Sequence, residues 1–376
     1  MRTKITLLLM LTFGVLASYA QELALVREGG KFGYIDKSAN YVIEPQFENA
    51  KTFSNGLAAA VQDKKWGFID PSGKWAIEPQ YDKVKYFDSG YAVVLKDDQW
   101  HYIDTSGKVL DVPSAEKYYD FEDGVALFKQ NDKIGLLGTD GKVVLEPTFD
   151  EIKKFKDRHA KVRQGELWGM IDNTGKVVIP VEYEEIGNEY NPAGVEGKKD
   201  GAFGIVHNGT FNVIDGADKV WGFYGDSGLT YARSNKKIGF VDSTGKWVIE
   251  PQFDKARGFS NGLAPVSSGK TWGYINENGE MVIEPQFRDA EVFAENGMAP
   301  VKEKQWGFID TSGKLVIPME YDITAGLAFL SGKDSKGFIG DLARVKTKQG
   351  WGFLDKNGKL LGDKWFENAE PFASTK

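Results

Sequence analysis

Apolar and polar residues alternate in short runs along almost the whole chain, and the runs recur in a fixed order. The pattern is clearest from Gln305 to Pro318: Trp306-Gly307-Phe308-Ile309-Asp310 alternates, Thr311-Ser312-Gly313 breaks the run, and Lys314-Leu315-Val316-Ile317 alternates again. Two period-two runs around a short Ser/Gly break predict a β-hairpin. The same hairpin recurs from Lys31, Lys65, Leu167, Lys237 and Thr271. A further apolar strand precedes it, as in Leu23-Ala24-Leu25-Val26, Gly262 to Val266 and Gly297 to Val301. A connection follows, such as Glu284-Pro285-Gln286-Phe287 through Ala290 to Phe293, in which Pro ends a strand and two apolar positions are offered for burial.

The register can be followed through one slot. Phe32, Trp66, Trp100, Ile134, Trp168, Phe203, Ile238, Trp272 and Trp306 succeed one another at 34 or 35 residues, and Trp351 comes late, after an insertion at about 323–341. The copy at about 184–236 is degenerate. A period of this size marks arrays in which no unit buries its apolar face until a neighbour covers it. The fold class expected is all-β, a tandem array of about ten three-stranded units of about 34 residues over 21–376. The unit shows three strands where a propeller blade needs four, so the expectation is an open solenoid or superhelix, with a closed propeller-like ring as the alternative.

Each recurring residue has a physical reading. The corner Asp (Asp36, Asp70, Asp104, Asp172, Asp242, Asp310, Asp355) should accept bonds from turn N–H groups, and the Gly three residues later should take the left-handed conformation. Trp fills a thin β core, and the Gly after it should let a neighbouring repeat come close. The position after Gly-Lys is Tyr41, Trp75 or Trp247 in some copies and Val109, Val143, Val177, Met281 or Leu315 in others, and apolar replacement there points to burial. Rings exposed at Trp75 and Trp247 would instead favour carbohydrate or peptide binding.

Charge narrows the partners. The net charge is -7 with acids and bases interleaved, so no basic face exists to track nucleic-acid phosphates. Residues 1–20 read as a signal peptide: Arg2 and Lys4, an apolar run from Ile5 to Leu16, then Ser18-Tyr19-Ala20 before a cut at Gln21. That run is too short to span a bilayer. With no cysteine in the chain, neither a disulfide nor a lipid-bearing Cys can form. The expectation is a soluble exported protein of the periplasm or exterior, without a transmembrane span in its mature part.

These residues resemble the WG-repeat family of bacterial proteins, with tandem copies of a motif like WGFID-x-x-GK-x-VI-x-P followed by an aromatic and a Gly-Leu-Ala strand. The resemblance runs from about Leu23 to Phe372. It implies a β-repeat scaffold, often exported, with no common activity. Departures are Leu136-Leu137-Gly138, which lacks the Asp, Asn276 in its place, His101 in the Gly slot after Trp100, and the stretch from Tyr183 to Lys236.

Catalytic sites are singular, whereas Glu44, Glu78, Glu146, Glu250 and Glu284 precede the connection Pro in the same way each time. One Asp per turn is too little for calcium, the three His (His101, His159, His207) stand in different repeats, and no nucleophile elbow or phosphate loop occurs. No catalytic, cofactor or metal residues are therefore assigned. The function expected is a non-enzymatic scaffold that binds a protein or a glycan at the cell envelope. Its candidate surface is Tyr190, Trp221, Phe223, Tyr224 and Tyr231 in the degenerate region, with Trp75 and Trp247. The alternative is a hydrolase-type enzyme in the degenerate repeat, using Glu182, Glu184 or Glu185 with Asp200.

Overall fold

The computed structural model describes residues 21–225, 227–322 and 336–376. The leader expected over 1–20 and most of the insertion lie outside them. Ten small antiparallel sheets succeed one another among the described residues, and they close into a ten-bladed propeller. We number the blades from the N-terminus. Blade 5 gives the full plan: Glu151–Ile152, His159–Gln164, Leu167–Asp172 and Val177–Tyr183, hydrogen-bonded in that order.

The short first strand was hidden in the connection. It has only two residues in most blades, too few to display a period of two, and this is why the repeat reads as three-stranded in sequence. With it the unit is a four-stranded blade, and the ring rather than the open array follows. Closure is made by the chain's two ends. The strand Glu22–Glu28 pairs antiparallel with Asn368–Ala369 (Val26 opposite Ala369, Arg27 opposite Asn368) and with Ala373–Ser374. Ala24, Val26, Ile35, Phe353, Phe366 and Ala369 bury a common cluster across that joint.

Two devices repeat within the blades. Asp310 accepts from Ser312 N–H (2.9 Å), Ser312 Oγ (2.6 Å) and Lys314 N–H (3.1 Å). The Ser312 hydroxyl first, then the turn N–H groups, hold its carboxyl below the usual range. The turn Gly behaves as expected too, Gly73 lying at φ 83°. The Gly after Trp does something else. A Cβ on Gly67 would lie 2.6 Å from the Ile77 carbonyl oxygen and 2.7 Å from Pro79 N. What comes close is thus the repeat's own return strand, bulged between the pairings Trp66–Tyr81 and Phe68–Ile77, and not a neighbouring repeat.

Neighbours are joined by aromatic pairs. The residue after the Gly of one blade meets the Phe entering the next: Tyr34 with Phe53 (4.9 Å between centroids), Phe68 with Phe87 (4.7 Å), Tyr274 with Phe293 (5.0 Å), and at the closing joint Phe353 with Phe372 (4.9 Å). Every blade is covered by the next.

Candidate functional site

At four seams a Lys or Arg donates to a main-chain carbonyl of the next blade. Lys51 Nζ donates to Val84 O (3.0 Å), Lys161 Nζ to Ile186 O (2.7 Å), Arg344 to Ala369 O (2.9 Å), and Arg257 to Ala290 O. These bases come from two repeat positions, one just after the short strand and one on the strand it pairs with. Blades 6 and 7 have no base at either position. Blade 6 carries Gly187 and Glu196 there, and blade 7 carries Trp221 and Tyr231.

Glu196 fills the room that two glycines leave. Its Oε2 lies 2.5 Å from where a Cβ on Gly187 would stand and 3.1 Å from one on Gly222. The carboxyl keeps some contact with solvent, yet burial pushes it up to about 7, against the pull of its own N–H and of Lys161. Folded chains thus hold this proton at pH values where unfolded ones, near 4.3, have lost it. The contribution of Glu196 to stability should be full below about pH 4.3, fall between about 4.3 and about 7, and be level above. The expected loss is on the order of 1–3 kcal/mol. Urea midpoints at pH 4.5 and 8 should differ less for Glu196→Gln than for the parent chain; equal differences would refute the assignment.

Beside this carboxyl, blades 7 to 9 enclose an open cavity of about 530 Å3. The Trp221 and Tyr231 rings stack in its wall at 4.8 Å and 21°. Lys219 lies over the Trp221 ring (4.6 Å) and Arg257 over Trp272 (4.5 Å). Asp289 and Glu291 fix the Arg257 guanidinium at 3.1 Å each. Lys255, Arg288, Ile238 and Ala256 also line it, and Arg288 is paired in turn with Glu303 at 3.6 Å, so Lys255 is the lining base without an ion pair among the described residues. Burial holds the Tyr231 hydroxyl above its ordinary range.

The other candidate residues do not join this wall. Tyr190, 37 % exposed, stacks on the His159 imidazole at 4.1 Å, and Phe223 packs on the cluster of Ile205 and Val220. Tyr224, 42 % exposed, lies over Gly258 of blade 8. Trp75 packs edge-on against Phe47 (5.8 Å), its Nε1–H donating to Gln62, and Trp247 donates to Asp215 O (3.1 Å). Both indoles are half-buried on the preceding blade and form no exposed stripe. The burial expected for the smaller residues of that slot fails in four copies and is partial in one: Val109, Val177, Met281 and Leu315 are exposed and Val143 is half-buried. A short side chain on the return strand does not reach the preceding blade as an indole does.

Two acids of the hydrolase reading, Glu182 and Glu184, are engaged with different partners, and Glu185 is exposed on the short strand Glu185–Ile186. Glu182 pairs with Lys199 (2.7 Å), Glu184 takes Gly201 N–H (2.7 Å) and Lys198, and Asp200 sits in a tight turn at φ 51°. Among the described residues no three acids or histidines are grouped to hold a metal ion, and no helix is long and apolar enough to cross a membrane. Glu196, Arg257 and Trp272 were not singled out in sequence. Lining up the repeats by column would have marked Glu196, which replaces Lys161 and precedes Tyr231 at 35-residue spacing.

Comparison with curated proteins finds no match. Among solved structures, one described as the eukaryotic initiation factor is similar over 79% of this chain and 95% of its own, at 13% identity and a TM-score of 0.44. The extracellular domain of a putative hybrid two-component system, BT4673, from B. thetaiotaomicron is 12% identical with a TM-score of 0.30, over 94% of this chain and 56% of its own. PorZ, a surface component of the type-IX secretion system of Porphyromonas gingivalis, is 9% identical with a TM-score of 0.25, over 95% of this chain and 58% of its own. The chain thus spans little more than half the length of the latter two. The model of one family, described as WG containing repeat, matches residues 32–66, 66–100, 134–168, 168–192, 238–271, 272–305 and 306–324. Glu196, Trp221 and Tyr231 fall in a gap between those matches, and the matched repeats around them make this chain a member of the WG containing repeat family.

Proposed function

We propose that the protein is an exported binding scaffold that acts without catalysis, and that the cavity between blades 7 and 9 receives an acidic segment of a protein partner at the cell envelope. The observation that carries this reading is the convergence of Trp221, Tyr231, Trp272, Arg257 and Arg288 on one basic concavity. Trp, Tyr and Arg are the residues in which binding energy concentrates at protein interfaces. Fixed rings lose little entropy on binding, and a local excess of bases on an acidic chain selects and steers an acidic ligand. Export is supported by the basic start, short apolar run and small-residue site of residues 1–20. Catalysis is disfavoured because Glu182 and Glu184 are engaged with different partners.

A panel of immobilised peptides, acidic and neutral, with and without an aromatic residue, tests the reading. Acidic aromatic peptides should bind best and weaken as salt rises. Trp221→Ala should lose about 30-fold, the ~2 kcal/mol of a hot spot. Arg288→Ala should weaken binding and flatten the salt dependence. Binding of acidic oligosaccharides in place of peptides, or equal binding by Trp221→Ala, would overturn it.

A further inference from the structure

Blade 3 departs from the plan in a second way. Its hairpin strand, Gln99–Asp104, is the last of the sheet, because no regular return strand pairs with it. Blade 10 also ends its sheet at the hairpin strand, keeping only the bridges Trp351–Phe366 and Leu354–Leu360, but blade 3 alone carries His101 in the Gly slot. It stands where the other blades have Gly, and a Cβ there collides with the bulged return strand, as for Gly33 (2.6 Å from Ile43 O) and Gly67 (2.6 Å from Ile77 O). The chain makes one bridge, Ile103 with Val109, bonds Leu110 N–H to Tyr102 O (2.9 Å), and turns away through Asp111 to Pro113.

A cavity of about 330 Å3 remains, lined chiefly by Trp100, His101, Leu110, Asp111, Val112 and Tyr118. Trp100 is 44 % exposed, whereas Trp272 and Trp306, in the same slot under a return strand, are each 6 % exposed. Its main chain is also released. In blade 10 the equivalent Trp351 exchanges two hydrogen bonds of 2.8 Å with Phe366, and in blade 3 no strand pairs with Trp100 on that side. The wall behind is fixed, the Tyr102 ring being held between Tyr118 (5.8 Å) and Phe121 (5.0 Å).

The lining contains no Lys or Arg, one carboxylate, one imidazole, an open indole face, and a main-chain donor and acceptor side by side. Absence of a cation disfavours an anionic guest. Donors and acceptors around a flat apolar face suit a ring that is apolar on one side and carries hydroxyls at its edge. The volume is at the lower end of small-molecule sites, about 300–1,000 Å3, and takes one ring. We infer that the blade 3 cavity is a binding site for one neutral pyranose residue, stacked on Trp100 and hydrogen-bonded by His101, Asp111 and the Trp100 main chain. The site is separate from the acidic-segment cavity and does not rest on it.

Titrating the full chain with glucose, galactose, mannose, N-acetylglucosamine and their short oligomers, followed by tryptophan fluorescence and calorimetry, tests the inference. At least one neutral sugar should bind saturably with a single site. Trp100→Ala should weaken it at least tenfold, and Asp111→Asn, which keeps the apolar wall, at least threefold. Both variants should keep the parent's melting temperature to within a few degrees, and Trp221→Ala should leave sugar binding unchanged. The inference fails if no neutral sugar binds, if Trp100→Ala binds as well as the parent, or if only charged sugars or peptides displace the signal.

Discussion

Glu370→Ala will lower the unfolding free energy by about 3–5 kcal/mol. Its carboxylate is bonded to Arg344 at 3.0 Å, and both side chains are almost wholly enclosed, 13 % and 10 % exposed. The pair lies across the joint between blade 10 and blade 1, where Arg344 also holds Ala369 O. Removing the acid takes from the enclosed guanidinium the carboxylate it is bonded to, at the joint that turns ten sheets into a ring. Chemical denaturation measures the loss. Arg344→Met with Glu370→Leu removes both charges and should cost clearly less than the single change, because no enclosed charge remains. A loss below about 0.5 kcal/mol for Glu370→Ala, the size of a surface substitution, would mean that the joint is open to water.

Gly67→Ala should destabilise by about 3 kcal/mol or more, a large cost for one methyl group. The added carbon meets backbone atoms of the return strand, Ile77 O and Pro79 N, and the Trp75 ring at 2.9 Å. Backbone cannot swing aside as a flexible side chain can, so the bulge must open or the strand must leave. Blade 3 shows the second outcome, where His101 occupies the equivalent position. Hydrogen exchange should therefore find faster exchange for Gly67→Ala in the return strand Trp75–Tyr81 than elsewhere. Uniform exchange in all blades, with an unchanged denaturation midpoint, would contradict the close approach.

Much of this was legible in the chain because the unit is repeated. The corner Asp and the turn Gly recur with one spacing, and Asp310 and Gly73 do in the fold what turn chemistry requires of them. Closure was less legible, since it depends on a short strand such as Glu151–Ile152, which carries no period of its own. A hint lay in Leu23-Ala24-Leu25-Val26, a strand of the kind that follows the connection in other repeats and here follows that of the last copy. Of the seven rings named from the sequence, Trp221 and Tyr231 stand together in the cavity wall. Their partners Arg257 and Trp272 come from regular copies, where nothing local distinguishes them, and only the ring brings them alongside. His101 was visible as a departure, but its effect on the return strand depends on a backbone approach of 2.6 Å that no pattern of residue types displays.

The whole account depends on the first strand of the chain being completed by its last residues, and the chain's lack of cysteine makes that directly measurable. Arg27 and Asn368 lie opposite each other across the joint, within the Cα separation of roughly 4.4–6.8 Å that a disulfide tolerates. In the Arg27→Cys, Asn368→Cys double variant, mild oxidation of the folded monomer should give one intramolecular disulfide in nearly every molecule and raise the melting temperature. Two thiols left free in the folded monomer, or bridges only between molecules, would show the blades to be an open row.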